Sequence, residues 1–178
     1  PYYSPFKVAE VFRMLEALYP GRVDLGIGRA PGGDARTAHA VGGGQLPTAE
    51  DFPQRVWELV AHLDGALPED HPHRHVRLQP GGDTAPEVWL LGSSDYSGAL
   101  AAQLGLRFAF AHFINPRGGD VVTRAYRERF QPSARESAPA AIVCVFVICA
   151  ADDAEAERLA ASIDLRRLLM ALGLETPV

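Results

Sequence analysis

Two short apolar runs end in residues able to hold an anion. The first, Arg22-Val-Asp-Leu-Gly-Ile-Gly-Arg-Ala-Pro-Gly32, closes on glycines and the cation Arg29. The second, Glu87-Val-Trp-Leu-Leu-Gly-Ser-Ser-Asp-Tyr-Ser97, closes on Ser93, Ser94, Tyr96 and Ser97. In parallel α/β proteins, ligands sit at the carboxyl ends of strands. Hydroxyls and backbone N–H groups that open a helix suit a phosphate. An arginine ending a neighbouring strand suits its charge. Each group also has a plainer use. A single Ser or Asp caps a helix, so three serines and a tyrosine exceed that need. Arg29 as a surface ion-pair partner is the competing account of that residue.

Other residues carry weaker signals. His112 ends a run in which Phe108, Phe110 and His112 share a face. It is either a donor or proton carrier for a ligand or a hydrogen-bonded rim histidine, and Asn115 has the same status. His71, His73 and His75 alternate like metal ligands, but they sit in a Pro-rich stretch with only Glu69 and Asp70 nearby. A structural zinc site takes four ligands, so no metal is expected. Asp24, in mid-strand, is expected to pair with an arginine such as Arg22. Gly26-Ile-Gly28 opens like a dinucleotide fingerprint, but Pro31 replaces the third glycine and the glycines lie inside the strand. A P-loop is excluded because no Gly-Lys-Ser or Gly-Lys-Thr occurs. No Ser-His-Asp set or catalytic carboxylate pair stands out.

The elements that must position these groups alternate. Ser4 to Tyr19 is predicted as a helix, with Ser4-Pro5 at its start and Pro20-Gly21 as its stop. Val23–Gly28 is a strand, residues 30–47 a loop, and Thr48–Asp64 an amphipathic helix. Residues 67–86 form a Pro/His-rich excursion. Then follow strand Val88–Leu91, helix Tyr96–Leu104, strand Phe108–Phe113 and helix Asp120–Phe130. Strand Ile142–Ala150 comes next, then helices Asp152–Ile163, capped by Asp152 or Asp153, and Leu165–Leu172. Such alternation predicts a parallel sheet with right-handed crossovers. Four strands make either a small open sheet or part of a βα barrel.

The totals agree with an α/β globular domain. The chain has 178 residues, 47% hydrophobic and 22% charged, with a net charge of −5 and a pI near 5.7. Nothing in that balance attracts nucleic acid or an anionic membrane. No run nears the roughly 18 apolar residues of a membrane helix, and no signal peptide opens the chain. Cys144 and Cys149 lie five apart in one apolar run, on opposite faces of a strand. Reduced, buried thiols and a cytoplasmic location are expected.

Beyond these signals, long stretches match a family. Tyr3-Ser-Pro-Phe-Lys-Val-Ala-Glu10 and Leu15-Glu-Ala-Leu-Tyr-Pro-Gly-Arg-Val-Asp-Leu-Gly-Ile-Gly-Arg-Ala-Pro-Gly32 resemble the bacterial luciferase-like flavin-dependent monooxygenases. So do Glu87 to Ser97, Ala101-Ala-Gln-Leu-Gly-Leu106, Phe108-Ala-Phe-Ala-His112 and Tyr126-Arg-Glu-Arg-Phe-Gln-Pro132. The resemblance implies a (βα)8 TIM-type barrel. Residues 1–178 would be a single domain incomplete at both ends, its strands the fourth to the seventh. It implies reduced flavin mononucleotide (FMN) as cofactor, or a deazaflavin in some branches. The cofactor phosphate would meet Ser94 and Ser97, with Tyr96 nearby, and Arg29. Ser93 and His112 complete the candidate set by position. The family's assisting histidine follows the second strand, outside the match, so no catalytic residue is assigned. The implied activity oxidises a small organic substrate with O2, with a flavin reductase as a partner. A homodimer through the first helix is also implied. The alternative is a non-catalytic flavin-binding protein derived from a shortened barrel; a generic phosphate-binding α/β domain is a third possibility.

Overall fold

The computed structural model describes residues 3–29, 39–41, 48, 50–82 and 84–174. Helix α1 spans Pro5–Leu18. Ser4 caps it, its hydroxyl accepting the Lys7 N–H at 3.3 Å, and proline fills the first turn, where its missing donor costs nothing. Strand β1 is Asp24–Gly28, α2 is Phe52–Asp64, β2 is Glu87–Gly92, α3 is Asp95–Gln103, β3 is Arg107–Ala111, α4 is Gly119–Arg129 and β4 is Ala141–Cys144. The four strands are parallel and lie in the order β1-β2-β3-β4. A doubly wound sheet reverses its order at a switch point. This one advances strand by strand, as an arc of a βα barrel does.

One sheet face carries the core. Leu25, Ile27, Val88, Leu90, Phe108 and Phe110 project to the helix side and pack with Val56, Leu59, Leu100, Ala101 and Tyr126. Burying each large apolar side chain contributes roughly 1.5–3 kcal/mol. The other face bears Gly26, Leu91 and Ile142, with Leu91 38% and Ile142 47% exposed. Strand alternation gives the two faces these different compositions.

Several boundaries differ from expectation. Helix α2 starts at Phe52, not Thr48, because Thr48 and Asp51 exchange backbone-to-side-chain bonds of 3.1 and 3.2 Å ahead of it. Strand β3 stops at Ala111, so His112 and Phe113 lie beyond it. Its partner β4 stops at Cys144, paired with Ala111, so residues 145–150 are not strand; a ladder ends where its neighbour does. Consequently Cys149 is exposed and Cys144 half-buried; neither thiol is deeply buried. Asp24 is exposed and makes no ion pair with Arg22; at the first position of β1 it lies opposite Glu87. Among its described residues, the 67–86 stretch contains turns and no strand. The expected 30–47 loop lies outside the described residues, apart from helical 39–41.

Residues 145–178 form a second compact unit. One helix, α5, runs Asp153–Ala171, where two were expected. No Gly or Pro interrupts it near Asp164, and an aspartate inside a helix costs well under 1 kcal/mol. Asp152 is its cap, accepting the Glu155 N–H at 2.9 Å.

Candidate active site at the ends of β1 and β2

Parallel pairing sets Gly28 of β1 opposite Leu91 of β2. Arg29 and the Gly92-Ser93-Ser94 turn therefore leave the sheet side by side at its carboxyl edge. The Arg29 guanidinium lies 4.6 Å from the Tyr96 ring centroid, stacked over its face. Both side chains are exposed. The stack holds a cation at the rim.

Ser94 is the N-cap residue of α3, extended at φ −136°, yet its hydroxyl makes no capping bond. Asp95 takes that role: its Oδ1 accepts the Tyr96 N–H at 2.8 Å. The half-buried Ser93 and Ser94 thus present hydroxyls that local capping does not consume. Ser97 is different. It is 7% exposed and tucked behind the strand end. A Cβ on Gly92 would fall 2.1 Å from Ser97 Oγ, so only glycine lets the turn close this tightly. Sequence inspection missed this function of Gly92, although a glycine ending an apolar strand was its signal.

The next strand end braces the turn. Asn115 Nδ2 donates to the Ser93 carbonyl at 3.0 Å, and its Oδ1 accepts the Arg117 N–H at 3.2 Å. His112 is half-buried in the turn just after β3, its N–H donating to the Phe110 carbonyl at 3.1 Å. The fold thus brings Arg29 to Tyr96, Ser97 to Gly92 and Ser93 to Asn115. His112 shares the carboxyl edge with them through strand order. The assembled groups are one cation, neutral hydroxyls and the amino end of α3, an arrangement able to bind a phosphate monoester.

Known proteins extend this picture. The family model described as luciferase-like monooxygenase matches residues 1–173. The chain is 47% identical over 178 residues to the uncharacterized protein YceB of Bacillus subtilis, covering 100% of this chain and 54% of that protein. It is 46% identical over 159 residues to a luciferase-like monooxygenase of Escherichia coli, covering 89% of this chain and 46% of the relative. It therefore spans about half the length of these relatives. The crystal structure of apo-MsnO8 superposes with a TM-score of 0.82 at 41% identity, over 97% of this chain and 50% of that one. The four-strand arc is thus part of an α/β barrel fold, and the chain belongs to the luciferase-like monooxygenase family.

Proposed function

We propose that this chain carries the cofactor-phosphate half of a flavin-dependent monooxygenase acting on a small organic substrate. The observation that carries the proposal is Arg29 stacked on Tyr96 beside a Ser94 hydroxyl that caps nothing. When bound, reduced FMN supplies the electrons with which O2 oxidises the substrate. This chain's residues do the holding. Arg29 meets the phosphate charge, Ser93 and Ser94 donate hydrogen bonds, and Ser97 secures the turn while offering a second donor from below. Tyr96 fixes the guanidinium, and His112 donates from the neighbouring strand end. Asn115 keeps the Ser93 turn in place.

The wider activity follows as part of the same proposal: O2 and an organic substrate as reactants, with reduced flavin delivered by a reductase. A homodimer contact belongs on α1, whose Val11, Met14 and Leu18 are 45%, 50% and 64% exposed. Clustered apolar exposure on one helix marks an interaction surface.

The test is a titration of reduced FMN and of riboflavin into the purified chain and its Ser94→Ala/Ser97→Ala variant. Each hydrogen bond to a charged phosphate contributes about 1.5–3 kcal/mol, so FMN affinity should fall at least tenfold. Riboflavin, which lacks the phosphate, should bind both forms equally. Equal losses for the two ligands would remove the serines from the phosphate site. Deazaflavin competition in the same assay ranks that cofactor against FMN. Substrate oxidation in the presence of O2 separates the monooxygenase from a non-catalytic flavin carrier.

A further inference from the structure

A second cluster lies away from the carboxyl edge of the sheet. Crossover helices run antiparallel to their strands, so the last turn of α2 is at the opposite end from Arg29 and Ser94. There Glu58 and His62, one helical turn apart, face the turn at residues 71–75. Glu58 Oε1 is 3.6 Å from His62 Nε2 and 3.4 Å from His73 Nδ1. The three potential ligand atoms all fall within 4.8 Å of one another. Bonds of about 2.0–2.1 Å to a tetrahedral zinc put neighbouring ligand atoms roughly 3.3 Å apart, so two edges are nearly at that length. His62 is 5% exposed, and its Nε2 is buried with no hydrogen-bond partner. Such a nitrogen is costly to leave unsatisfied. An ion between it and Glu58 would satisfy both.

We infer that Glu58, His62 and His73 form a binding site for a divalent transition-metal ion of the zinc class, with the fourth position open to water. The ligand set is borderline-soft nitrogen and carboxylate oxygen, which suits zinc, cobalt or nickel better than magnesium or calcium. His71 stands beside the site. Its Nδ1 accepts the His73 N–H at 3.2 Å, which leaves the proton of the neutral ring on Nε2, 3.9 Å from Glu58 Oε1. That distance is beyond a direct hydrogen bond, so His71 flanks the carboxylate without holding it. Phe6 and Trp57 wall the cluster with rings 5.2 Å from His62 and 6.5 Å from His71. His73, with 53% of its side chain exposed, is the entry side. His75 stands outside the group. The expectation of no metal rested on the acids adjacent in sequence; the fold supplies Glu58 and His62 instead. The site is independent of the flavin proposal.

Cobalt(II) titration of the purified chain, followed by visible absorbance, tests the assignment. One saturable site with a tetrahedral-type band is expected. Glu58→Gln and His73→Ala should each weaken it at least tenfold, while His75→Ala leaves it unchanged. His73 is exposed, so its truncation leaves the fold intact, and the His73/His75 comparison stands even if Glu58→Gln unfolds. Absence of saturable binding overturns the site. So does equal damage from His73→Ala and His75→Ala, which would mean that the alternating histidines chelate on their own.

Discussion

At the residue scale, the most informative buried group is Tyr126. It is 1% exposed and packs 5.5 Å from the Phe108 ring. Its hydroxyl donates to the Leu106 carbonyl at 2.9 Å and accepts the Ala140 N–H at 3.2 Å. It thereby ties the start of β3 to the segment entering β4. Tyr126→Phe should cost about 1–3 kcal/mol, because buried backbone groups lose their partner; urea unfolding measures it. Burial pushes the phenol pKa above its ordinary value, against a weaker opposing effect of the hydrogen bond with Ala140. The unfolded phenol ionises near 10, and the folded one later. The contribution is therefore complete below about pH 10 and is lost as pH rises beyond it. Urea midpoints should fall as pH rises from about 9.5 to about 11 in the wild type, and the part of that fall due to Tyr126 should vanish in the Phe variant.

At the element scale, α1 shows how little of a helix its own fold uses. Ala9 is buried, with Val8 and Phe12 packed on the core, and Glu16 is 2% exposed, accepting the Gly21 N–H at 2.8 Å. That bond closes the turn after the helix, where Gly21 sits at φ 69°. Val11, Met14, Leu15 and Leu18 point to solvent. If α1 is the dimer contact proposed above, Met14→Glu with Leu18→Glu should shift the protein toward monomer in sedimentation. Stability of the monomer should hardly change, since neither residue is in the core. An unchanged sedimentation coefficient with a dimeric wild type would place the contact elsewhere.

Across the whole molecule, Arg135 links distant parts of the chain. It pairs with Asp64 at the end of α2 at 2.7 Å and donates to the Pro86 carbonyl before β2 at 3.0 Å. The same segment reaches Gly105 through Ser133 Oγ at 2.9 Å. A Cβ on Gly105, at φ 59°, would sit 2.5 Å from the Gln131 carbonyl, so the segment is packed on bare backbone. The 131–136 connection thus locks the amino edge of the sheet, opposite the candidate flavin site. Arg135→Ala should destabilise the fold by about 1–3 kcal/mol, leaving Asp64 and Pro86 without their partner. Thermal unfolding reads the loss. FMN affinity, governed from the other end of the strands, should stay within twofold.

The order of helices and strands was legible because each element announces itself locally. Ser4-Pro5 opens a helix, glycines close several, and Leu25, Ile27, Val88 and Leu90 alternate in their strands. The phosphate-binding candidates were legible for the same reason: Arg29 and Ser94 each end an apolar run. Strand length was not. Ile142 to Ala150 reads as one apolar strand, but only Ala141–Cys144 has a partner in β3. Nor did local pattern reveal that Arg29 stacks on Tyr96, that Ser97 needs a glycine at 92, or that His62 meets His73. Those contacts join residues separated by anywhere from 5 to 67 positions. Sequence determined the elements, their order and the chemistry available at each strand end, since periodicity and capping act within a few residues. Tertiary structure alone decided which of those groups meet, because strand register and helix docking set the distances between residues remote in the chain.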